Sequence, residues 1–94
     1  MKYRVVVVPS AEREISESAA FYEEQKEGLG VDFLNELDLS KDKLSQQPHN
    51  YSYISKEKTL RCLSISRFPF KIIYEVHDDR VVIYSVYHDK RKPL

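Results

Sequence analysis

The sequence predicts an α+β domain of two layers, in which an antiparallel helical hairpin covers one face of a small, mostly antiparallel sheet. Three observations carry that expectation. A run of valines near the start, "KYRVVVVP", is followed by two segments with helical period, and the C-terminal third changes to short stretches rich in Ile, Val and Tyr. The resulting order is strand, helix, helix, strand, strand, strand.

The four valines are β-branched and pack well on a pleated surface, so residues 2–8 are expected to form a first strand, buried on both faces and closed by Pro9. Ser10 offers a hydroxyl as N-cap, and Glu12 falls in the first turn, where the helix dipole favours a negative charge. Ala11, Ile15, Ala19 and Tyr22 then line one face of an amphipathic helix over residues 11–26. Gly28 stands where a helix end needs a left-handed residue, and Gly30 suggests a second tight turn. Phe33, Leu34, Leu37 and Leu44 make the stripe of a second helix, with Pro48 just beyond its end. Two helices joined this tightly form a hairpin. "PHNYSYISKEKT" has no clean period and reads as a loop. "LRCLSIS", "FKIIYEVH" and "RVVIYSVYH" read as three strands, separated by "RFP" and "DD". The "DD" break is so short that the last two strands must be antiparallel neighbours.

At 94 residues the chain is expected to be a single domain over residues 1–94. Its composition, 41% hydrophobic and 32% charged, suits a folded globular protein rather than a disordered one. The valine run is far short of the roughly 20 apolar residues a membrane span requires, so no membrane role and a cytoplasmic location are expected. A lone cysteine, Cys62, supports neither a disulfide framework nor a zinc module, and a small strand residue is its ordinary reading. No glycine-rich phosphate loop, GxSxG elbow or CxxC occurs, and the three histidines are not at metal-ligand spacing. No cofactor and no metal are therefore expected. The zero net charge conceals a split: residues 1–46 hold six Lys and Arg against ten Asp and Glu, and residues 47–94 hold nine against five. Such a split can focus a positive field on one surface.

The basic residues on or beside the C-terminal strands are the candidates for chemistry: Arg61, Arg67, Lys71, Lys90, Arg91 and Lys92, together with His88, Tyr87 and the loop lysines Lys56 and Lys58. Cleaving RNA without a metal requires activation of a 2′-hydroxyl, protonation of the leaving oxygen and cations around the phosphate. Histidine, lysine and arginine can supply these roles. Each residue also has a structural reading. Arg61 and Arg67 bracket a strand and can cap its buried stripe or pair with helix carboxylates. Lys71 alternates with Phe70 and Ile72, points to the face of Ile73 and Glu75, and can form a salt bridge there. His88 ends its strand in phase with Val82, Tyr84 and Val86, and a hydrogen-bonded structural histidine stands beside the catalytic reading. His49 and His77 are expected to face solvent.

The strand pair "FPFKIIYEVHDDRVVIYSVYHDKRKP", preceded by "LRCLSISR" and by "FYEEQKEGLGVDFLNELDLSKDKL", resembles the RelE/ParE superfamily of toxins from bacterial type II toxin–antitoxin modules over nearly the whole chain. The resemblance implies a cognate antitoxin whose C-terminal segment wraps the toxin. For members similar to RelE, ribosome-dependent mRNA endonucleases, it implies Lys71, His88 and Arg91 as catalytic candidates, with ribosome and mRNA as partners. The paired lysines of such nucleases fall where this chain has Cys62 and Ser64, and the C-terminal tyrosine has no counterpart after Arg91. The short "HDKRKP" ending instead resembles ParE-like members associated with poisoning DNA gyrase. The favoured expectation is a ParE-like growth-arresting toxin that meets its target through Arg61, Arg67, Lys90 and Arg91. The alternatives are the RelE-type nuclease and a non-toxic homologue that only binds antitoxin.

Overall fold

The computed structural model describes residues 2–89. In chain order they form β1 (Arg4–Val7), α1 (Pro9–Gln25), α2 (Leu29–Gln46), a 3-10 turn (Pro48–Asn50), β2 (Leu60–Ser64), β3 (Phe70–His77) and β4 (Arg80–His88). The strands lie in the order β1-β4-β3-β2. β1 runs parallel to β4, and the other two pairs are antiparallel. The expected β-α-α-β-β-β arrangement is therefore present, with one parallel pair at the edge.

Position in that sheet corrects the first strand. Among the described residues β1 has a strand on one side only, and its residues alternate: Val5 and Val7 pack against the core, whereas Arg4 and Val6 are exposed. A run of four valines carries no alternation that would have revealed this. The helix start is also corrected. α1 begins at Pro9, Val8 is its N-cap, and no side chain caps it, so Ser10 lies inside the first turn. Proline is at ease there because the first helical N–H has no partner within the helix and the ring already holds a helical φ.

Gly28 takes the left-handed conformation expected of it, with φ of 88°. Gly30 does something else. It is the second residue of α2, and a Cβ built on it would lie 2.6 Å from the Ala19 carbonyl oxygen and 3.0 Å from Glu23 Oε1. The glycine lets the two helices touch. Glu23 uses that proximity to accept the N–H groups of Gly28 (2.9 Å) and Gly30 (3.0 Å), donors that the first turn of a helix leaves without partners.

Ala11 and Ile15 from α1, and Phe33, Leu37 and Leu44 from α2, meet Leu63, Phe70, Ile72, Tyr74, Val81, Ile83 and Val86 from the sheet. Leu34, expected on the α2 stripe, turns out to be exposed. Ser40 occupies the inward position instead and donates its hydroxyl to the Glu36 carbonyl at 3.1 Å. At one end of the core Tyr22, Phe33, Phe68 and Phe70 form an aromatic group, with ring centroids 4.8 Å apart for Phe33–Phe70 and 5.0 Å for Tyr22–Phe68. At the other end Tyr74 donates its hydroxyl to the Pro48 carbonyl at 2.6 Å, tying the 3-10 turn to the middle of the sheet.

The β3–β4 hairpin closes through Asp78 and Asp79, with Asp78 at φ 51°, as its two-residue connection requires. Further along, Tyr74 pairs with Ile83 and Ile73 with Ser85, so Tyr84 is an extra residue in β4. This bulge reverses the alternation of the strand. Val82 and Tyr84 face away from the helices, whereas Val86 is buried and His88 pairs with buried Phe70. The expectation that Val82, Tyr84, Val86 and His88 share a face is corrected accordingly.

Candidate functional site

The helices cover only one face of the sheet. The other presents Arg4 and Val6 from β1, Val82, Tyr84 and Tyr87 from β4, Lys71, Ile73 and Glu75 from β3, and Leu60, Cys62 and Ser64 from β2. This open face carries an apolar centre and charged ends, and it is where the candidate residues can be compared.

Lys71 is on it, as its alternation predicts. Ser64 and Tyr87 are its partners on the neighbouring strands, and its Nζ lies 3.4 Å from Asp89 Oδ1. The Asp89 carboxylate holds the amine pKa above the ordinary lysine value, so Lys71 is a cation at neutral pH and unsuited to taking a proton. His88 is on the opposite face. Its ring stands edge-on to Phe70, centroids 5.2 Å apart and planes at 75°. Lys71 and His88 are thus close in register and separated by the sheet itself.

Arg61 is committed to the fold. Its Nη1 donates to the Tyr51 carbonyl (2.6 Å) and the His49 carbonyl (3.2 Å), its Nη2 donates to the Tyr53 hydroxyl (2.7 Å), and the guanidinium lies 3.9 Å from the centroid of the Tyr53 ring. It pins the segment after the 3-10 turn onto β2, where Tyr53 forms a bridge with it. Its partners are loop carbonyls rather than helix carboxylates. Arg67 does meet helix carboxylates: Nη1 is 3.4 Å from Glu36 Oε2 and Nη2 is 4.0 Å from Asp32 Oδ2. It holds a left-handed φ of 74° in the turn before β3, and 60% of its side chain remains exposed. Arg61 lies within β2 and Arg67 in the turn that follows it, and they bind different partners, loop carbonyls for the first and helix carboxylates for the second. Lys90, Arg91 and Lys92 lie outside the described residues.

Sequence reasoning missed a polar cluster at the hairpin end of the open face. Glu75 Oε1 accepts the Tyr84 hydroxyl at 2.8 Å and faces His77 Nε2 at 2.9 Å. The Tyr84 bond, more than His77, holds the Glu75 carboxyl below its ordinary pKa, and the same bond raises that of Tyr84. The signal was the i, i+2 spacing of Glu75 and His77 on one strand face, and of Val82 and Tyr84 on the facing strand, since alternation from Val82, the partner of Glu75, already puts Tyr84 on the same side. Tyr74 titrates high because burial disfavours its phenolate. Beside this cluster His49, Tyr53, Lys58, Arg61 and Glu75 border a cleft of about 160 Å³. His49 and His77 are exposed, as expected. Among the described residues no three His, Cys, Asp or Glu side chains are grouped to hold a metal ion, and no helix is long and apolar enough to cross a membrane.

The family model described as the ParE toxin of the type II toxin–antitoxin system parDE matches residues 5–93. The chain belongs to the ParE toxin family. Comparison with curated proteins gives no match. Among solved structures, the chain is similar to one described as the chromosomal ParDE TA system from P. aeruginosa, with a TM-score of 0.76 and 14% sequence identity. The likeness covers 93% of this chain and 96% of that one, and at this identity it speaks to the fold. The two-helix, four-stranded architecture of this ParE-family chain is therefore shared across a wide sequence distance.

Proposed function

We propose that this ParE-family toxin arrests growth by binding and inhibiting DNA gyrase, and that a cognate antitoxin neutralises it. The observation that favours this over the RelE-type nuclease is the separation of Lys71 from His88. A nuclease needs its proton acceptor, proton donor and phosphate-binding cations around one scissile group, and here the lysine is a cation beside Asp89 on one face while the histidine packs on Phe70 on the other. An inhibitor that binds a protein needs no such convergence. It needs a surface, and the open sheet face offers an apolar centre with charged ends; in the sequence, Lys90 and Arg91 follow its last strand. Arg61, held within the fold, acts through the loop it positions, while Arg67 with its exposed guanidinium is available for contact.

The antitoxin reading rests on family membership and on the sheet edges. The outer edge of β2 is partly taken by residues 52–54, through Ile54 N–H to the Leu60 carbonyl (2.8 Å) and Cys62 N–H to the Ser52 carbonyl (3.1 Å). β1 is bonded to β4 through residues 4 and 8, so residues 5 and 7 turn their backbone groups outward, where an extended antitoxin segment can pair. The test is a supercoiling assay with purified gyrase. Supercoiling should fall as toxin is added and recover when the product of the neighbouring reading frame is supplied. Unchanged supercoiling together with codon-phased cuts in translated messages would establish the nuclease instead, and normal growth on induction without antitoxin would establish a non-toxic homologue.

A further inference from the structure

We infer that Glu14 guards the uncovered stretch of β4 against pairing with a second copy of this chain. β1 accompanies β4 only as far as the bond from Val8 N–H to the Ile83 carbonyl, 3.1 Å, after which the chain turns into α1. β4 continues for five more residues, Tyr84 to His88, with β3 on one side and, among the described residues, no strand on the other. The bond from Asp89 N–H to the Pro69 carbonyl fixes the direction of the backbone groups there: residues 87 and 89 turn towards β3, and residue 86 turns outward. Val86 is therefore the central donor of an open edge.

Glu14, in the second turn of α1, fills it. Its Oε1 accepts the Val86 N–H at 2.9 Å and the Ser85 hydroxyl at 3.1 Å, with Oε2 at 3.3 Å from the same hydroxyl. The carboxylate occupies the position that the carbonyl of an added strand would take. An incoming strand would have to displace it, and would bring a second negatively polarised oxygen towards a carboxylate left without its donors. Charged side chains turned onto a sheet edge are a recognised means of preventing such pairing.

The strand kept out is another copy of the same chain. Residues 84–88, "YSVYH", favour extended structure, and an antiparallel pair centred on Val86 is self-complementary, because each copy offers the other the same donor and acceptor across a two-fold axis. The guard works whatever target the open face binds.

Hydrogen exchange and sedimentation of the full chain test this. In the wild type the Val86 amide should be protected although no strand faces it, and Glu14→Ala should exchange it about tenfold faster in dilute solution. Glu14→Ala should also dimerise as concentration rises towards about 1 mM, whereas Glu14→Gln, whose amide oxygen still accepts the N–H, should stay monomeric. A wild-type Val86 amide that exchanges like an exposed one overturns the inference, and this readout stands even if the alanine variant does not fold. A Glu14→Ala chain that folds and remains monomeric throughout that range overturns it too.

Discussion

Replacing Gly30 with alanine tests the packing of the helical hairpin through the sign of the effect. In an ordinary helix interior the change stabilises by about 1 kcal/mol, because glycine loses more backbone freedom on folding. Here the new methyl would lie 2.6 Å from the Ala19 carbonyl oxygen, a backbone atom that cannot rotate aside, and 3.2 Å from Glu23 Cβ. Relieving such overpacking costs about 1–3 kcal/mol. Parting the helices also draws Glu23 away from the N–H groups of Gly28 and Gly30, and each bond lost costs about 1 kcal/mol net. Taken together, the substitution should destabilise by about 1–4 kcal/mol, since the clash and lost bonds outweigh the helix-propensity gain. Urea denaturation followed by circular dichroism measures it directly, and a domain of this size should lose about 4–8 °C in Tm for each kcal/mol. Asn35→Ala, on the exposed side of α2, is the control and should be neutral or slightly stabilising. A Gly30→Ala protein as stable as the wild type would refute the close approach of α1 and α2.

Tyr74→Phe should cost about 1–3 kcal/mol, measured in the same assay, because it leaves the buried Pro48 carbonyl without its donor. The lowered pKa of Glu75 means that the unfolded chain binds its proton more readily, so this contribution to stability is present above the unfolded value and is lost as pH falls through the folded one. The wild type should therefore lose more stability than Glu75→Gln between about pH 5 and pH 3, and parallel denaturation midpoints over that range would refute the pairing. Removing residues 90–94 should weaken gyrase inhibition about tenfold or more, a loss of at least 1.4 kcal/mol in binding, while Lys71→Ala should leave it within a factor of about three. The opposite ranking in a supercoiling titration would move the contact to Lys71 at one end of the open face and away from residues 90–94.

Element order, the hairpin, the two-residue turn and the outward direction of Lys71 were legible because each rests on local chemistry: helical period, a glycine at positive φ, a short polar break and strand alternation. What escaped depends on partners distant in sequence. Nothing near Val5 says that β1 has a neighbour on one side only, and nothing near Glu14 says that the edge of β4 passes beside it, 72 residues along the chain. Pro9 was read as the end of a strand when it is also the start of a helix, since proline is compatible with both. Arg61 illustrates the limit for sites. Its position beside a buried stripe was clear, but its choice of loop carbonyls over helix carboxylates follows from where the 3-10 turn delivers residues 49–53.

The extra residue at Tyr84 has a consequence for how such a fold can change its chemistry. With β3 and β4 in unbroken alternation, Val86 and His88 would fall on the open side, and the histidine would stand near Lys71; the single unpaired residue sends it into the aromatic group beside Phe70 instead. A shift of one position in half a strand exchanges the side chains offered to a partner while both helices and most of the sheet stay as they are. Chains of nearly the same composition can therefore present different functional surfaces, according to where, or whether, the last strand slips.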